Sequence, residues 1–433
     1  MNTGVGTRAK PRLFYGWWIV VAGFVIVAYG IGARGYIANQ LPYLVKGLGG
    51  APSQVAMALS ISGFVGSIAL LAIGPLIDRF GPRKLMLIGI PVASIGFLAL
   101  RFANTLLTLY ILQGTVVGIG MSAGFLLPVQ TATANWFMRR RAIALAIICA
   151  ASVLGGAITT LLGEGIVDQF GVRDPVLGLG VVMLVIGIPL AFVIRHRPEQ
   201  HGYLPDGELP AIEESGEPVT EQENRVAEIN FTLQQALRTR AFWMLAIGMA
   251  LASGVGAMTT VHRVPFLVDL GFSQTAIANI FHIAPLIGLV GILLFGYLGD
   301  MFTKRYLLAI AITLQSASVV ILMTAGSLAQ VYLYTLVYGL GSGMMPLILA
   351  IRADYFGRRA FATITVVMMF ISGIIGIPVS AGLTPLLGWI FDITGSYQPA
   401  LLLSMLIGLV PATVFFFARP PKPSHRALAP TES

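Results

Sequence analysis

Gly74-Pro75-Leu76-Ile77-Asp78-Arg79-Phe80-Gly81-Pro82-Arg83-Lys84 is a charged turn set between two long apolar runs, residues 55–77 and 85–100. A helix that crosses a bilayer needs about 20 apolar residues, because backbone groups left unpaired in hydrocarbon are strongly penalised. These charges therefore mark the point where two spanning helices meet water. The turn occurs twice. Gly296-Tyr297-Leu298-Gly299-Asp300 repeats the Gly-x-x-x-Asp core 222 positions on, and Lys304-Arg305 closes it as Arg83-Lys84 closes the first.

Other stretches recur at nearly the same offset. Pro42-Tyr43-Leu44-Val45 returns as Pro265-Phe266-Leu267-Val268, and Trp136-Phe137-Met138-Arg139-Arg140 as Tyr355-Phe356-Gly357-Arg358-Arg359. Ile166-Val167-Asp168-Gln169-Phe170-Gly171 returns as Ile390-Phe391-Asp392-Ile393-Thr394-Gly395. Four pairs at nearly one offset, 219 to 224 residues, indicate a duplicated half, and parallel halves related about the membrane normal are a transporter architecture.

Composition agrees. Hydrophobic residues make up 56% of the 433 and charged residues 10%, against roughly a quarter charged in soluble domains. Single Cys149 excludes an intrachain disulfide. The net charge of +9 reads as topology rather than as a nucleic-acid surface, because the basic residues cluster in alternate loops. Spanning helices are expected near 15–44, 54–77, 85–104, 106–134, 142–164 and 175–194, then near 241–268, 275–298, 307–325, 331–351, 363–390 and 400–418. The fold class is all-α integral membrane, with twelve transmembrane helices in two pseudo-symmetric six-helix bundles. The bundles occupy 1–195 and 239–433 and are joined by a linker at 196–238. That linker, rich in Pro and Glu, is expected to be largely flexible, with Thr232 capping a short helix at 233–237. Arg79, Arg83, Lys84, Arg139 to Arg141, Arg195, Arg197, Arg238, Arg240, Lys304, Arg305, Arg358 and Arg359 fall on one side. The positive-inside tendency makes that side cytoplasmic, with both termini inside and the chain multi-pass in the plasma membrane.

The turn, the repeat and the helix count together resemble the major facilitator superfamily, whose signature loop matches Asp78-Arg79-Phe80-Gly81-Pro82-Arg83-Lys84. Tyr15-Gly16-Trp17-Trp18, the run from Trp136-Phe137 through Arg139-Arg140-Arg141-Ala142, and His262-x-x-Pro265-Phe266-Leu267-x-Asp269-x-Gly271 resemble bacterial monocarboxylate porters and the oxalate/formate antiporter group. Two departures stand out. Ile292 occupies the place of that group's arginine in helix 8, and no Lys or Arg lies between Arg359 and Arg419 to supply its cation in helix 11. The marks of drug/proton antiporters are also missing, since Tyr110 precedes Gln113-Gly114 and helix 5 has Gly155-Gly156 without Pro.

Charges inside a bilayer are expensive and usually functional. Arg34 lies deep in helix 1, and its planar fork suits a carboxylate; snorkelling to headgroups is the structural alternative. Asn279 and His282 share a face of helix 8 as candidate polar contacts. Asn39, Ser122, Tyr338 and Ser342, with Gln40 and Thr259, lie on the cavity-lining helices that the resemblance implies, although small polar residues also hold helices together. His262 and Arg263 are expected at the outer mouth, with Arg263 solvated. The glycines at 114, 118, 120, 339, 341 and 343 read as helix packing. The acidic residues fall at helix ends or in loops, so coupling through a mid-membrane carboxylate is not expected. Asp78, Arg79, Arg83, Asp300, Lys304 and Arg305 are expected to gate, holding the halves together in one state and releasing them in another.

The function expected is transport of a small organic anion, such as a monocarboxylate, by symport, antiport or facilitated movement, with no cofactor and no metal. The partners expected are an anionic small molecule and membrane lipids, with no nucleic acid and a monomeric chain. Export of amphipathic or neutral compounds is the alternative, and a non-transporting sensor a remote one. No metal-ligand cluster or nucleophile–base set suggests an enzyme.

Overall fold

A computed structural model describes residues 14–170, 175–207 and 230–422; the side chains of residues 39, 40, 43, 44, 52, 157–170, 175 and 176 lie outside that description. The described residues contain no strand. The first half comprises α1 (Tyr15–Gly47), α2 (Pro52–Phe80), α3 (Pro82–Ala99), α4 (Leu106–Trp136), α5 (Arg141–Phe170) and α6 (Pro175–Val193). The second comprises α7 (Arg240–Asp269), α8 (Gln274–Met301), α9 (Lys304–Met323), α10 (Leu328–Phe356), α11 (Phe361–Thr394) and α12 (Gln398–Phe417). Ten of these rods are long and apolar enough to span a bilayer within the described residues, with shorter apolar helices at Arg141–Gly156 and Leu177–Val193.

Local chemistry sets the helix ends. Gly81, at φ +87°, is the sole residue between α2 and α3, and Pro82 opens α3; glycine accepts that backbone without a Cβ clash and proline suits a first helical turn. Thr239 caps α7 and Ser273 caps α8 through their side-chain oxygens. Thr232 does the same for Leu233–Leu237, in a capping box with Gln235, as its sequence predicts. Several helices run past the apolar windows: α5 begins at Arg141 and α11 ends at Thr394. A hydropathy window stops where hydrocarbon stops, whereas the hydrogen-bond ladder continues into the interface. In α4, Tyr110–Val117 is wound as a π-helix.

The predicted packing glycines are contact points. Gly118 faces the Ser62 carbonyl of α2, Gly339 faces Ile287 and Gly288 of α8, and Gly341 faces the Ala311 carbonyl of α9. Along most of its length each half has its own apolar core. One cluster runs through α1, α3, α4, α5 and α6, and another through α7, α8, α9, α10 and α12 away from the linker. At the end where the linker lies, the clusters merge across the halves. Ala142, Leu145, Ala146 and Cys149 of α5 pack with Ile292, Phe295, Leu347 and Met368, and Ile73 and Ile77 of α2 pack with Ala362 and Val366 of α11.

Candidate functional site

The joint at the linker end is built by the duplicated turn. Gly74 and Asp78, four apart, share a face of α2. A Cβ at Gly74 would meet the Ala362 carbonyl and Thr363 Cα of α11, so glycine lets the two backbones approach. One turn on, the Asp78 carboxylate accepts the N–H groups of Ala362 (3.1 Å) and Thr363 (2.8 Å) and the Thr363 hydroxyl (2.6 Å). The second copy does the same in the opposite sense. A Cβ at Gly296 would meet the Ala142 carbonyl and Ile143 Cα of α5, while Asp300 accepts the N–H groups of Ala142 (2.8 Å) and Ile143 (3.1 Å). The first N–H groups of a helix have no partner within it and carry the positive end of its dipole. Each Gly-x-x-x-Asp core thus caps a helix of the other half.

Ion pairs surround the caps. Arg141 Nη1 of α5 meets Asp354 of α10 at 2.5 Å, and the other Asp354 oxygen takes Lys304 Nζ at 2.8 Å. The duplicate of Asp354 is Asn135, which has no charge to offer. There Arg358 donates to the Asn135 carbonyl (2.7 Å) and to Glu199 (2.8 Å), a carboxylate of the linker. The linker is fastened to the first half. Asn135 Nδ2 and Trp136 Nε1 donate to the carbonyls of His196 and Arg195, and Tyr203 packs on Tyr15 and Trp136. Asp206, in a left-handed conformation, accepts three successive N–H groups, from Met138, Arg139 and Arg140. Burial and then the Arg197 guanidinium push the His196 imidazole down to about 4, so it is neutral at pH 7. The expectation of a largely flexible linker is corrected for residues 196–207, which aromatic packing and this anion nest hold in place.

The gating residues named from sequence separate into two sets. Asp78 and Asp300 reach across the halves, and Lys304 acts through Asp354. Arg79, Arg83 and Arg305 stay within their own half, over the rings of Phe80 (5.2 Å), Phe192 (4.7 Å) and Tyr306 (4.5 Å). Arg141, Asp354, Arg358, Glu199 and Thr363 were not anticipated as parts of the joint. The first four are charged, and Arg141 and Arg358 belong to the repeated loop that sequence reading assigned to topology.

Away from the joint, Arg34 is exposed on α1. Gly23, Gly30 and Arg34 share one face, and the glycines pack on Val129 and Phe125 of α4. Exposed Trp18, Val21 and Val25 occupy the opposite face. Arg34 is therefore turned to the interior wall, beyond the level at which α1 and α4 touch, and it forms no hydrogen bond or ion pair with a described residue. The second half carries its own cation, Arg263, which aligns with Gln40 and not with Arg34 in the repeat. It is half-buried rather than solvated: its guanidinium lies 4.2 Å from the Phe281 ring of α8, beside buried Tyr334 of α10. Arg263 Nε has no hydrogen-bond partner among the described residues, and the Tyr334 hydroxyl has the Arg263 guanidinium as its polar neighbour. Tyr338 packs on Tyr334 at 5.7 Å. His262 is buried and meets the Thr384 carbonyl at 3.0 Å, a packing role.

The remaining candidates are scattered. His282 and Asn279 are exposed, and Asn279 shares the face of exposed Leu286, Val290 and Tyr297. Ser122 donates to the carbonyls of Gly118 and Gly66, and Ser342 packs against Gly288. Thr259 bonds its own helix. The side chains of Asn39 and Gln40 lie outside the described set.

A rod-built, two-half membrane protein with a capped joint at one end defines a transporter class. The family model of the Major Facilitator Superfamily matches residues 20–377 and 264–432. The chain belongs to that superfamily of membrane transporters, and it is not an enzyme. Human monocarboxylate transporter 11 is 26% identical over 409 residues, which cover 90% of this chain and 80% of that one. The MFS-type transporter pynF of Aspergillus niger is 29% identical over 203 residues, about half of each protein (46%). Among solved structures, the superfamily transporter FucP in the outward conformation matches the fold with a TM-score of 0.62 at 15% identity, covering 93% of this chain and 99% of that one.

Proposed function

We propose that the protein moves a small organic anion, of the monocarboxylate class, by alternating access. Residues 1–195 and 239–433 rock against each other about a site between Arg34 and Arg263. The observation that carries this reading is Arg34, a permanent cation exposed on the interior face without a counter-charge among the described residues. Arg263 supports it from the other half, partly desolvated against Phe281 and beside two tyrosines, with Tyr338, Ser342, Ser122, Asn39 and His282 as the surrounding polar candidates. An anion held by one cation from each half draws the far ends together, which is the differential contact that a two-state cycle requires. The name of monocarboxylate transporter 11 points to the same ligand class. On the positive-inside tendency the linker end is cytoplasmic in a plasma membrane, so the closed joint corresponds to an outward-facing state.

Counterflow of labelled mono- and dicarboxylates into liposomes tests this, with internal and external pH set independently. Saturable exchange of an acid is expected; transport of neutral lipophiles alone would replace the reading with export of apolar compounds. Arg263→Ala should lower apparent affinity about 10-fold, and Arg263→Lys should recover part of it, because a shared, half-exposed charge contributes about 1.4 kcal/mol. Unchanged kinetics in Arg263→Ala would assign that residue to packing.

The joint is proposed as the cytoplasmic gate, with Glu199 as the carboxylate that Asn135 lacks. Glu199→Gln should weaken closure of one side only. A rise of about threefold in the linker-end-open population is expected, for a part-exposed pair contributing well under 1 kcal/mol, read by distance measurement between spin labels on α4 and α10. No change in that distribution would leave Glu199 a local linker contact.

A further inference from the structure

Between the start of α7 and the chain beyond α12 lies an open cavity of about 620 Å³. Three cations border it, Arg240, Arg419 and Lys422, and no acidic residue does. All three side chains are exposed, and none forms a hydrogen bond or ion pair with a described residue. Its inner wall is apolar, formed by Met244 and Phe417. Exposed Phe416 packs on Phe417 at 5.3 Å and continues that wall, and Trp243, next to Met244 on α7, is exposed as well. Trp243 is held by its indole N–H to the Leu237 carbonyl, and Phe416 packs on Tyr306, over which Arg305 lies. Indole and phenol rings with fixed polar contacts favour the level of lipid headgroups.

Like charges around one cavity repel unless an anion neutralises them, and basic pockets at this level of a membrane protein select acidic headgroups. We propose that this cavity binds the phosphate of an anionic phospholipid in the leaflet at the linker end. The phosphodiester sits among Arg240, Arg419 and Lys422, and an acyl chain follows Met244 and Phe417 onto the aromatic flank. A free phosphate ion would satisfy the three cations but would leave the apolar wall without a partner. The site is separate from the Arg34–Arg263 region and from the joint, so its fate does not depend on the transport reading.

Native mass spectrometry of the full-length protein titrated with phosphatidylglycerol, phosphatidylcholine or inorganic phosphate tests the assignment. The wild type should retain phosphatidylglycerol at least about 10-fold more tightly than phosphatidylcholine, from roughly 1.4 kcal/mol of added charge contact. Arg240→Gln, Arg419→Gln and Lys422→Gln should each reduce that preference and together remove it. The paired control Lys46→Gln with Arg101→Gln, cations outside the cavity, should leave it intact. Each single variant serves if the triple one does not fold. Equal phosphatidylglycerol retention by wild type and the cavity variants would overturn the proposal, as would a preference that inorganic phosphate abolishes at equal concentration.

Discussion

Arg34→Ala should abolish saturable anion exchange while leaving the protein in the membrane at normal levels. The residue makes no bond to a described neighbour, so its removal should not open a cavity or orphan a buried group, and the fold has little reason to respond. The substrate carboxylate, by contrast, would lose a bidentate partner, at a cost of about 3 kcal/mol when the pair is desolvated, or on the order of 100-fold in affinity. Arg34→Lys should retain part of the activity, since it keeps the charge but gives up the planar fork. The decisive comparison is exchange rate per folded protein in liposomes. Wild-type exchange by Arg34→Ala would remove Arg34 from the mechanism and return it to the role of an arginine reaching for headgroups.

What the sequence discloses and what it withholds follow from the range of the interactions. The spanning helices and the duplication depend on composition and spacing along the chain, so they were legible; so was the Thr232 cap, a contact three residues long. The importance of Asp78 and Asp300 was legible through repetition, but their partners were not, because apart from the Thr363 hydroxyl the donors, at Ala362, Thr363, Ala142 and Ile143, are backbone N–H groups that every helix start possesses. Arg79, Arg83 and Arg305 resembled gate charges until aromatic faces within their own halves were seen to hold them. Arg263 is the reverse case. Near the end of an apolar run it reads as a solvated rim charge, and only Phe281 and Tyr334, brought in from α8 and α10, show otherwise. Glu199 hid among linker carboxylates because nothing local distinguishes the one that faces Arg358.

Asp78→Asn combined with Asp300→Asn should shift the protein toward the state that is open at the linker end. A carboxylate accepting helix N–H groups makes charge-assisted bonds of about 1.5–3 kcal/mol each. Asparagine keeps one acceptor oxygen and loses the charge that complements the helix dipole, so a loss of about 2 kcal/mol per site is expected, roughly a 30-fold shift for one site and more for both. The chain carries its own reporter. Cys149 is the only cysteine and is buried; it shares the face of α5 on which Ala142 and Ala146 meet Gly299 and Gly296 of α8. Parting of the halves would expose it. Alkylation of Cys149 by a membrane-permeant maleimide should therefore be at least about 10-fold faster in the double variant than in the wild type. Saturating substrate should change the rate in both proteins if the same equilibrium is being read. Gly74→Val should act in the same direction by a different cause, because its side chain would press on the Ala362 carbonyl and hold α2 off α11. Equal alkylation rates in all three proteins, with transport intact, would show that the caps on α5 and α11 are dispensable for closure and that the apolar clusters at the joint carry it alone.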